Sequence, residues 1–367
     1  MLHDPILKKL LRLGWASILA IHSLLNLLFW GKSSGVRVFY GGARPGDVGG
    51  PLVKVKRLRA LFLEHIWGYN IVYVLSNTPY LPNFALYILR MRNVPIVHNQ
   101  NGVFYPGWFA GNCDLQNKRM ARTFHKADYV FFQSKFCKLS AERYLGPRKG
   151  AGEILYNAVD TSFYHPLETP NPIEGRPYRF LLTGKIDDHL YYRIDSSIRG
   201  LAEAVKLGLD ATLDIAGWVA PKAHVQAQAL ANELGVSQRV CLTGPYTQEQ
   251  ATTIYQNSDA YIMTKHNDPC PNTVLEALAC GLPVLYSDTG GVAELVGDAG
   301  IGLECAQGWG EPQVPEVRLI GQGMVDVFKK HDVFRLIART RAVERFDIAH
   351  WERRHNEVFV RLIEERS

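Results

Sequence analysis

Two carboxylates stand out by type and spacing. In 268-DPCPNTVLE-276, Asp268 sits in a loop stiffened by Pro269 and Pro271, and Glu276 lies eight positions on. Thr273 and Glu276 have the spacing of a capping box, Thr at the N-cap and Glu at N3, and Gly281 and Pro283 end the helix after them. That reading accounts for both residues without chemistry. It leaves out 268-DPCPN-272, which fixes the backbone just ahead of a helix N-terminus, where amides point outward and the dipole is positive. Such a place suits an anion or a hydroxyl-rich ligand. A carboxylate at Asp268 would hold hydroxyls rather than phosphate.

The surrounding elements must position these groups. After 31-GKSSG-35 an apolar strand, 36-VRVFY-40, runs into the glycine-rich loop 41-GGARPGDVGG-50 and a helix over 51–66. Strands at 70–75, 94–99, 128–133 and 153–157 then alternate with helices near 80–92, through Lys118, Arg119, Arg122 and Lys126, and over 134–146. The four prolines of 165-HPLETPNPIEGRP-177 interrupt the pattern. It resumes with strands at 179–185, 211–217, 238–244, 259–264 and 283–288, and the chain ends in an amphipathic helix over 349–367. Short apolar strands alternating with helices predict parallel sheets. We therefore expect an N-terminal apolar helix (1–31) and two doubly wound, Rossmann-like α/β domains (36–170 and 177–345) facing across an interdomain cleft. A C-terminal helix (346–367) would return to the first domain. Ligands of such sheets sit beyond the carboxyl ends of the strands.

Charge divides the chain at the same place. Of 41 Lys+Arg and 35 Asp+Glu, the first 170 residues hold 21 and 9, a net of +12, and the remainder carries −6. The basic half fits an anionic surface or a phosphorylated ligand, or is simply a solvated basic face. No nucleic-acid recognition motif accompanies it. The six cysteines form no CxxC or zinc spacing, and no N-x-S/T sequon occurs, as in a reducing, cytosolic setting. From Leu13 to Trp30 there are 18 residues without a charged side chain, after Lys8, Lys9 and Arg12. This is the lower limit for a membrane span. Lys8, Arg12, His22, Ser23 and Asn26 fall on one helical stripe, interrupted by Trp15 and Leu19. The stripe favours a helix lying in the membrane interface, with a span or a buried helix as alternatives.

The run 268-DPCPNTVLEALACGLPVLYSDTGGVAELVGDAG-300 resembles the signature of retaining glycosyltransferase family 4, which has the GT-B fold. Asp268 stands where the family usually has Glu. The segment 153-EILYNAVDTSFYHP-166 is similar to the family's interdomain segment, with Ala158 for Gly. The resemblance implies a nucleotide-diphospho-sugar donor bound by the acidic half. Glu276 would take the ribose hydroxyls and Asp268 the hydroxyls of the transferred sugar. The backbone of Cys270, Pro271, Asn272, Thr273 and Val274 would line the sugar and diphosphate. The family meets the leaving charge with an Arg and a Lys. Here Lys185 takes the first position and Arg193 is the nearest candidate for the second, with Arg199 a weaker one; Arg and Lys are not equivalent. Gly49 and Gly50 match the family's glycine loop and would let the backbone approach the donor phosphates, and His98 matches its active-site histidine, which would contact the transferred sugar. Asn99, Asn101, Tyr105 and Trp108, with Phe104 and Phe109, would contact a sugar acceptor, although the aromatics also suit packing under their loop.

Together these residues lead us to expect a retaining glycosyltransferase that needs no cofactor and no metal, since no D-x-D carboxylate pair is present. It would pass sugar from a nucleotide sugar to a glycan, lipid-linked on the strength of the basic half and the apolar helix. It would work peripherally on the cytoplasmic face of an anionic membrane, without nucleic acid. A non-catalytic nucleotide-sugar-binding protein and a GT-B phosphorylase or epimerase are the alternatives.

Overall fold

The computed structural model describes residues 5–29, 35–46, 50–76, 81–169 and 171–366. The chain forms two compact units, Met1–Tyr156 with Trp351–Ser367, and Asn157–His350.

The first unit opens with α1 (Pro5–Leu25). Its parallel sheet comprises β1 (Val38–Phe39), β2 (Ile71–Leu75), β3 (Ile96–Gln100), β4 (Tyr129–Phe132) and β5 (Ala151–Ile154), in sequence order. β2, β3 and β4 are buried along their whole length, so they read as continuous runs rather than alternations. The connecting helices are α2 (Gly50–Leu61), α3 (Asn83–Met91), α4 (Cys113–Lys126) and α5 (Lys135–Leu145). Local chemistry sets their starts. Asn112 accepts from the Leu115 amide to cap α4, and Ser134 from the Cys137 amide to cap α5.

The last helix, α13 (Ile348–Glu364), belongs to this unit from Trp351 onward. Its fully buried His355 donates from Nδ1 to the Trp351 carbonyl (2.8 Å), which leaves Nε2 to accept from the Tyr73 hydroxyl (3.1 Å). Arg354 pairs with Glu153 and Arg366 with Asp128.

The second unit holds β6 (Tyr178–Thr183), α6 (Tyr192–Lys206), β7 (Ala211–Ala216), α7 (Pro221–Glu233), β8 (Val240–Gly244) and α8 (Gln248–Gln256). It continues with β9 (Ala260–Met263), α9 (Asn272–Ala279), β10 (Val284–Ser287), α10 (Val292–Val296), β11 (Gly300–Leu303), α11 (Val317–Lys329) and α12 (His331–Phe346). All six strands are parallel, in the order β11-β10-β9-β6-β7-β8. The order reverses between β6 and β9, which makes their carboxyl ends a topological switch point. The core around Phe180, Ile194, Ile198, Leu213 and Ile262 lies under it.

The chain enters this unit at Asn157, ahead of the proline-rich stretch expected to divide the domains. Residues 157–164 are bonded into it. Val159 donates to the Phe346 carbonyl and accepts from the Ile348 amide, and Arg339 donates to the carbonyls of Thr161, Tyr164 and Ala279. Prolines mark an irregular path here, not the division.

Candidate functional site

At the switch point β6 ends at Thr183 and α6 begins at Tyr192, which brings Arg193 back beneath the sheet edge. Arg193 is buried. Its Nη2 donates to the Thr183 carbonyl (3.2 Å) and lies 3.8 Å from Met263 Sδ; its Nε has no partner. It makes no ion pair among the described residues. An apolar environment tolerates such a cation poorly.

A ladder of hydroxyls leads from Thr183 to α9. Thr183 Oγ1 lies 2.9 Å from the Tyr261 hydroxyl and 3.3 Å from that of Tyr255, and Tyr255 donates to Glu276 Oε2 (2.9 Å). Burial, and after it the Glu276 charge, push the Tyr246 and Tyr255 hydroxyls well up, so both stay protonated donors. The capping expectation is corrected here. α9 is capped by Pro271 with no side-chain bond, and Thr273 is its second residue. A proline N-cap has no hydroxyl to offer, and the Glu276 carboxylate is drawn to Tyr255. The capping box that does form is Thr247 with Gln250, at the start of α8. Glu276 thus sits half-buried in α9 and is held by a tyrosine.

Asp268 lies in the loop between β9 and α9. Its Oδ2 pairs with Lys265 Nζ at 2.7 Å and its Oδ1 accepts from the Cys270 amide at 3.2 Å. The loop is clamped from three sides. The Gly291 amide donates to the Asp268 carbonyl, and Thr289 and the Gly308 carbonyl hold Asn267. Asn157 donates from its side chain to the Cys270 carbonyl (2.8 Å) and from its amide toward Cys270 Sγ. Gly290 is required where it stands. Its φ is +76°, and a Cβ there would lie 2.6 Å from the Asp268 carbonyl oxygen. The Cys270–Val274 stretch therefore arrives at α9 with a fixed backbone, and the amides of Asn272 and Thr273 open the helix.

The remaining cations separate. Lys185 is exposed, its Nζ 5.0 Å from the centre of the Trp218 ring, while Arg199 is tied to Asp195 at 3.0 Å on the helix face. Arg193 and Lys185 both come after β6, but one is interior and the other solvated.

In the first unit the polar residues gather at the carboxyl ends of β2, β3 and β4. His98 is 1% exposed. Gln100 directs its amide nitrogen to the Gly102 carbonyl (2.6 Å), so its Oε1 accepts from His98 Nε2 (2.8 Å). His98 Nδ1 is then a buried acceptor without a partner. Burial pushes its pKa down to about 4, so the ring is neutral at pH 7. Asn99 Oδ1 accepts from Lys54 Nζ (2.8 Å), and Asn101 Oδ1 from Gln133 Nε2 (2.6 Å). Tyr105 is buried under its loop, whereas Trp108 is exposed and stacked on Phe104 at 5.3 Å. Gly50 is the first residue of α2; Gly49 lies outside the described residues.

Sequence reasoning missed Lys54, Lys265, Tyr255 and Asn157. A Lys on the Val55–Leu58 face of α2 and the K-x-x-D spacing of 265–268 were legible signals. Tyr255 carried none, because its role depends on which helix lies beside α9.

Two parallel α/β units, the second with its polar loop at the switch point, make the GT-B glycosyltransferase fold. Residues 174–313 match the family model of the glycosyl transferases group 1. Among relatives, it is 35% identical over 74 residues to D-inositol 3-phosphate glycosyltransferase of Nocardia farcinica, covering 20% of this chain and 16% of that protein. The match thus spans about a sixth of that relative's length. A glycosyltransferase from Rickettsia africae superposes with a TM-score of 0.67 at 15% identity, over 95% of this chain and 94% of the other. Anabaena HepE in complex with UDP-glucose superposes with a TM-score of 0.61 at 18% identity, over 85% and 82%. At these identities the likeness is one of fold.

Proposed function

We propose that this protein is a glycosyltransferase of the retaining, family 4 type and takes its sugar from a nucleotide diphosphate bound by the second unit. The observation that carries the reading is Arg193, a buried cation with a free Nε at a switch point that also presents the first amides of α9. A protein keeps such a charge inside where an anion is to be met. In this reading Arg193, the amides of Asn272 and Thr273, and Lys185 from its solvated position take the diphosphate charge. Glu276, steadied by Tyr255, accepts from the ribose hydroxyls. Asp268, with both oxygens oriented by Lys265 and the Cys270 amide, accepts from the hydroxyls of the transferred sugar. Its counter-ion keeps the carboxylate from repelling the phosphates. The similar HepE is held in complex with UDP-glucose, in keeping with this donor class.

The acceptor is a glycan, lipid-linked, at the cytoplasmic face of an anionic membrane. It is served from the first unit by Asn99, Asn101 and Trp108, with neutral His98 as a hydrogen-bond acceptor. No side chain is assigned as a covalent nucleophile. The acceptor attacks on the face the leaving group departs from, and a donor phosphate oxygen takes its proton, without a metal. The test is a melting panel of UDP-, GDP- and dTDP-sugars with transfer assays after it. One nucleotide sugar stabilises the protein and is turned over, and Asp268→Ala abolishes turnover. A donor that binds but is never transferred or hydrolysed would make the protein a nucleotide-sugar-binding module instead.

A further inference from the structure

Helix α1, with the 3-10 turn Asn26–Phe29 that continues it, is built inside out. Its buried stripe is the polar one. Ser23 and Asn26 are 2% and 0% exposed, and Leu19 lies among them. Asn26 donates to the Ile66 carbonyl (3.1 Å) and accepts from the Gly68 amide (3.0 Å), while His22 bonds the same Ile66 carbonyl (2.7 Å). The His22 ring packs against Phe39 and Trp67, with centroids 4.8 and 5.0 Å away, and Trp15 closes over Gly42. The opposite face is apolar and faces outward. Leu10, Leu13, Ile18, Ile21, Leu24 and Leu28 are all exposed, Leu28 to 81%. The sequence expectation is therefore reversed: the His22–Asn26 stripe points at the protein, because Ile66 and Gly68 supply the partners it needs.

The apolar face does not stop at α1. Helix α3, against which α1 packs, exposes Phe84, Tyr87 and Met91 at i, i+3 and i+7, and the loop ahead of β2 exposes Ile66 and Trp67. A soluble surface rarely carries this many exposed apolar side chains on adjoining elements. Neither helix has an acidic residue among those described, and Arg90 is exposed beside Tyr87 and Met91 on α3. An apolar surface with only positive charge fits an anionic bilayer.

We propose that α1 and α3 form a monotopic docking surface. The first unit rests on an anionic bilayer with α1 in the membrane plane. α1 and its continuation to Phe29 are long and apolar enough to cross a membrane. A crossing helix would have to leave the unit and carry His22 and Asn26, stripped of Ile66 and Gly68, into hydrocarbon. The proposal sharpens the membrane part of the function above, and its test reads no sugar transfer, so either can fail alone.

The experiment is flotation of the full chain with vesicles of phosphatidylcholine, with and without about 30% phosphatidylserine. The protein floats with the anionic vesicles. The double variant Leu13→Glu/Leu24→Glu, at exposed positions, keeps its melting temperature and loses flotation at least about tenfold. A fluorophore on Tyr87→Cys is quenched by brominated lipid to the same shallow depth as one on Ile18→Cys. Three results overturn the proposal. One is deep quenching at Ile18→Cys with none at Tyr87→Cys, which means a span. Another is flotation indifferent to the glutamates. The third is a lipid-free dimer that the glutamates dissociate, which means that a second copy covers this face.

Discussion

Replacing Arg193 by methionine separates a structural from a ligand-binding role. The side chain is buried, its polar contacts are the Thr183 carbonyl at 3.2 Å and Met263 Sδ, and its Nε is unpartnered. Burying a cation without a counter-ion costs several kcal/mol, and one charge-assisted bond returns about 1.5–3 kcal/mol. Methionine fills similar space with no charge to desolvate, at a repacking cost of about 1 kcal/mol. The unliganded variant should therefore melt within a few degrees of the parent, or above it. Ligand response should behave in the opposite way. At 100 times its dissociation constant a nucleotide sugar stabilises the parent by about 2.7 kcal/mol, roughly 5–10 °C for a unit of this size. Loss of one charge-assisted diphosphate contact, about 2–3 kcal/mol, weakens binding about 30- to 150-fold. The same ligand concentration then yields only about 1–3 °C. Differential scanning fluorimetry with the cognate donor, and with its nucleoside diphosphate alone, measures both. A variant that loses many degrees unliganded but keeps the full ligand shift would refute the ligand-binding role and make Arg193 a packing residue.

Three further expectations rest on other contacts. Gly290→Ala puts a Cβ 2.6 Å from the Asp268 carbonyl in a left-handed backbone, so the loop must move; donor binding is lost with at least about 1–2 kcal/mol of stability, and a variant with both intact contradicts the clamp. Tyr255→Phe removes the donor to Glu276 and weakens nucleotide binding by about 1.5–3 kcal/mol, whereas equal affinity by calorimetry would show that Glu276 needs no steadying. His98 and His355 are held by burial at about 4 and about 3, below the ordinary 6.5, so the unfolded chain takes up their protons first. Stability of the first unit is complete above pH 6.5 and falls as pH drops from there toward 4, by on the order of 2 kcal/mol per ring at pH 5. Urea melts at pH 7 and 5 measure this loss, and His98→Gln should shrink it; a pH-independent midpoint would mean that the rings are not buried neutral.

The parallel sheets were readable because their strands are short apolar runs that only burial on both faces can use. The switch point was not, because strand order depends on which crossover goes which way. Asp268 lies in a loop and Glu276 in a helix, as their sequence context implies, but the capping reading of Glu276 does not hold. Thr273 and Glu276 have the spacing of a capping box, but Pro271 takes the cap and Tyr255, from the preceding helix, takes the carboxylate. A spacing rule sees only contacts made within one element, and this one was made between two.

The same limit explains α1 and Lys54, which look unrelated. Helical periodicity states which residues share a face; it does not state which way that face points. For α1 the usual assignment, polar outward, fails because the loop at Ile66–Gly68 offers a free carbonyl and amide at the helix surface, and Asn26 and His22 satisfy them. For Lys54 it fails because Asn99 places an oxygen 2.8 Å from the ammonium inside the unit. In both cases backbone or amide groups left over by the sheet and its loops draw a polar side chain inward. In α1 that leaves leucines to face outward. The apolar surface and the buried polar network of the first unit are thus two results of one requirement, that every buried polar group find a partner. A substitution separates them: Asn26→Leu should release α1 from the unit, cost about 1–3 kcal/mol of its stability, and leave Lys54 and Asn99 undisturbed.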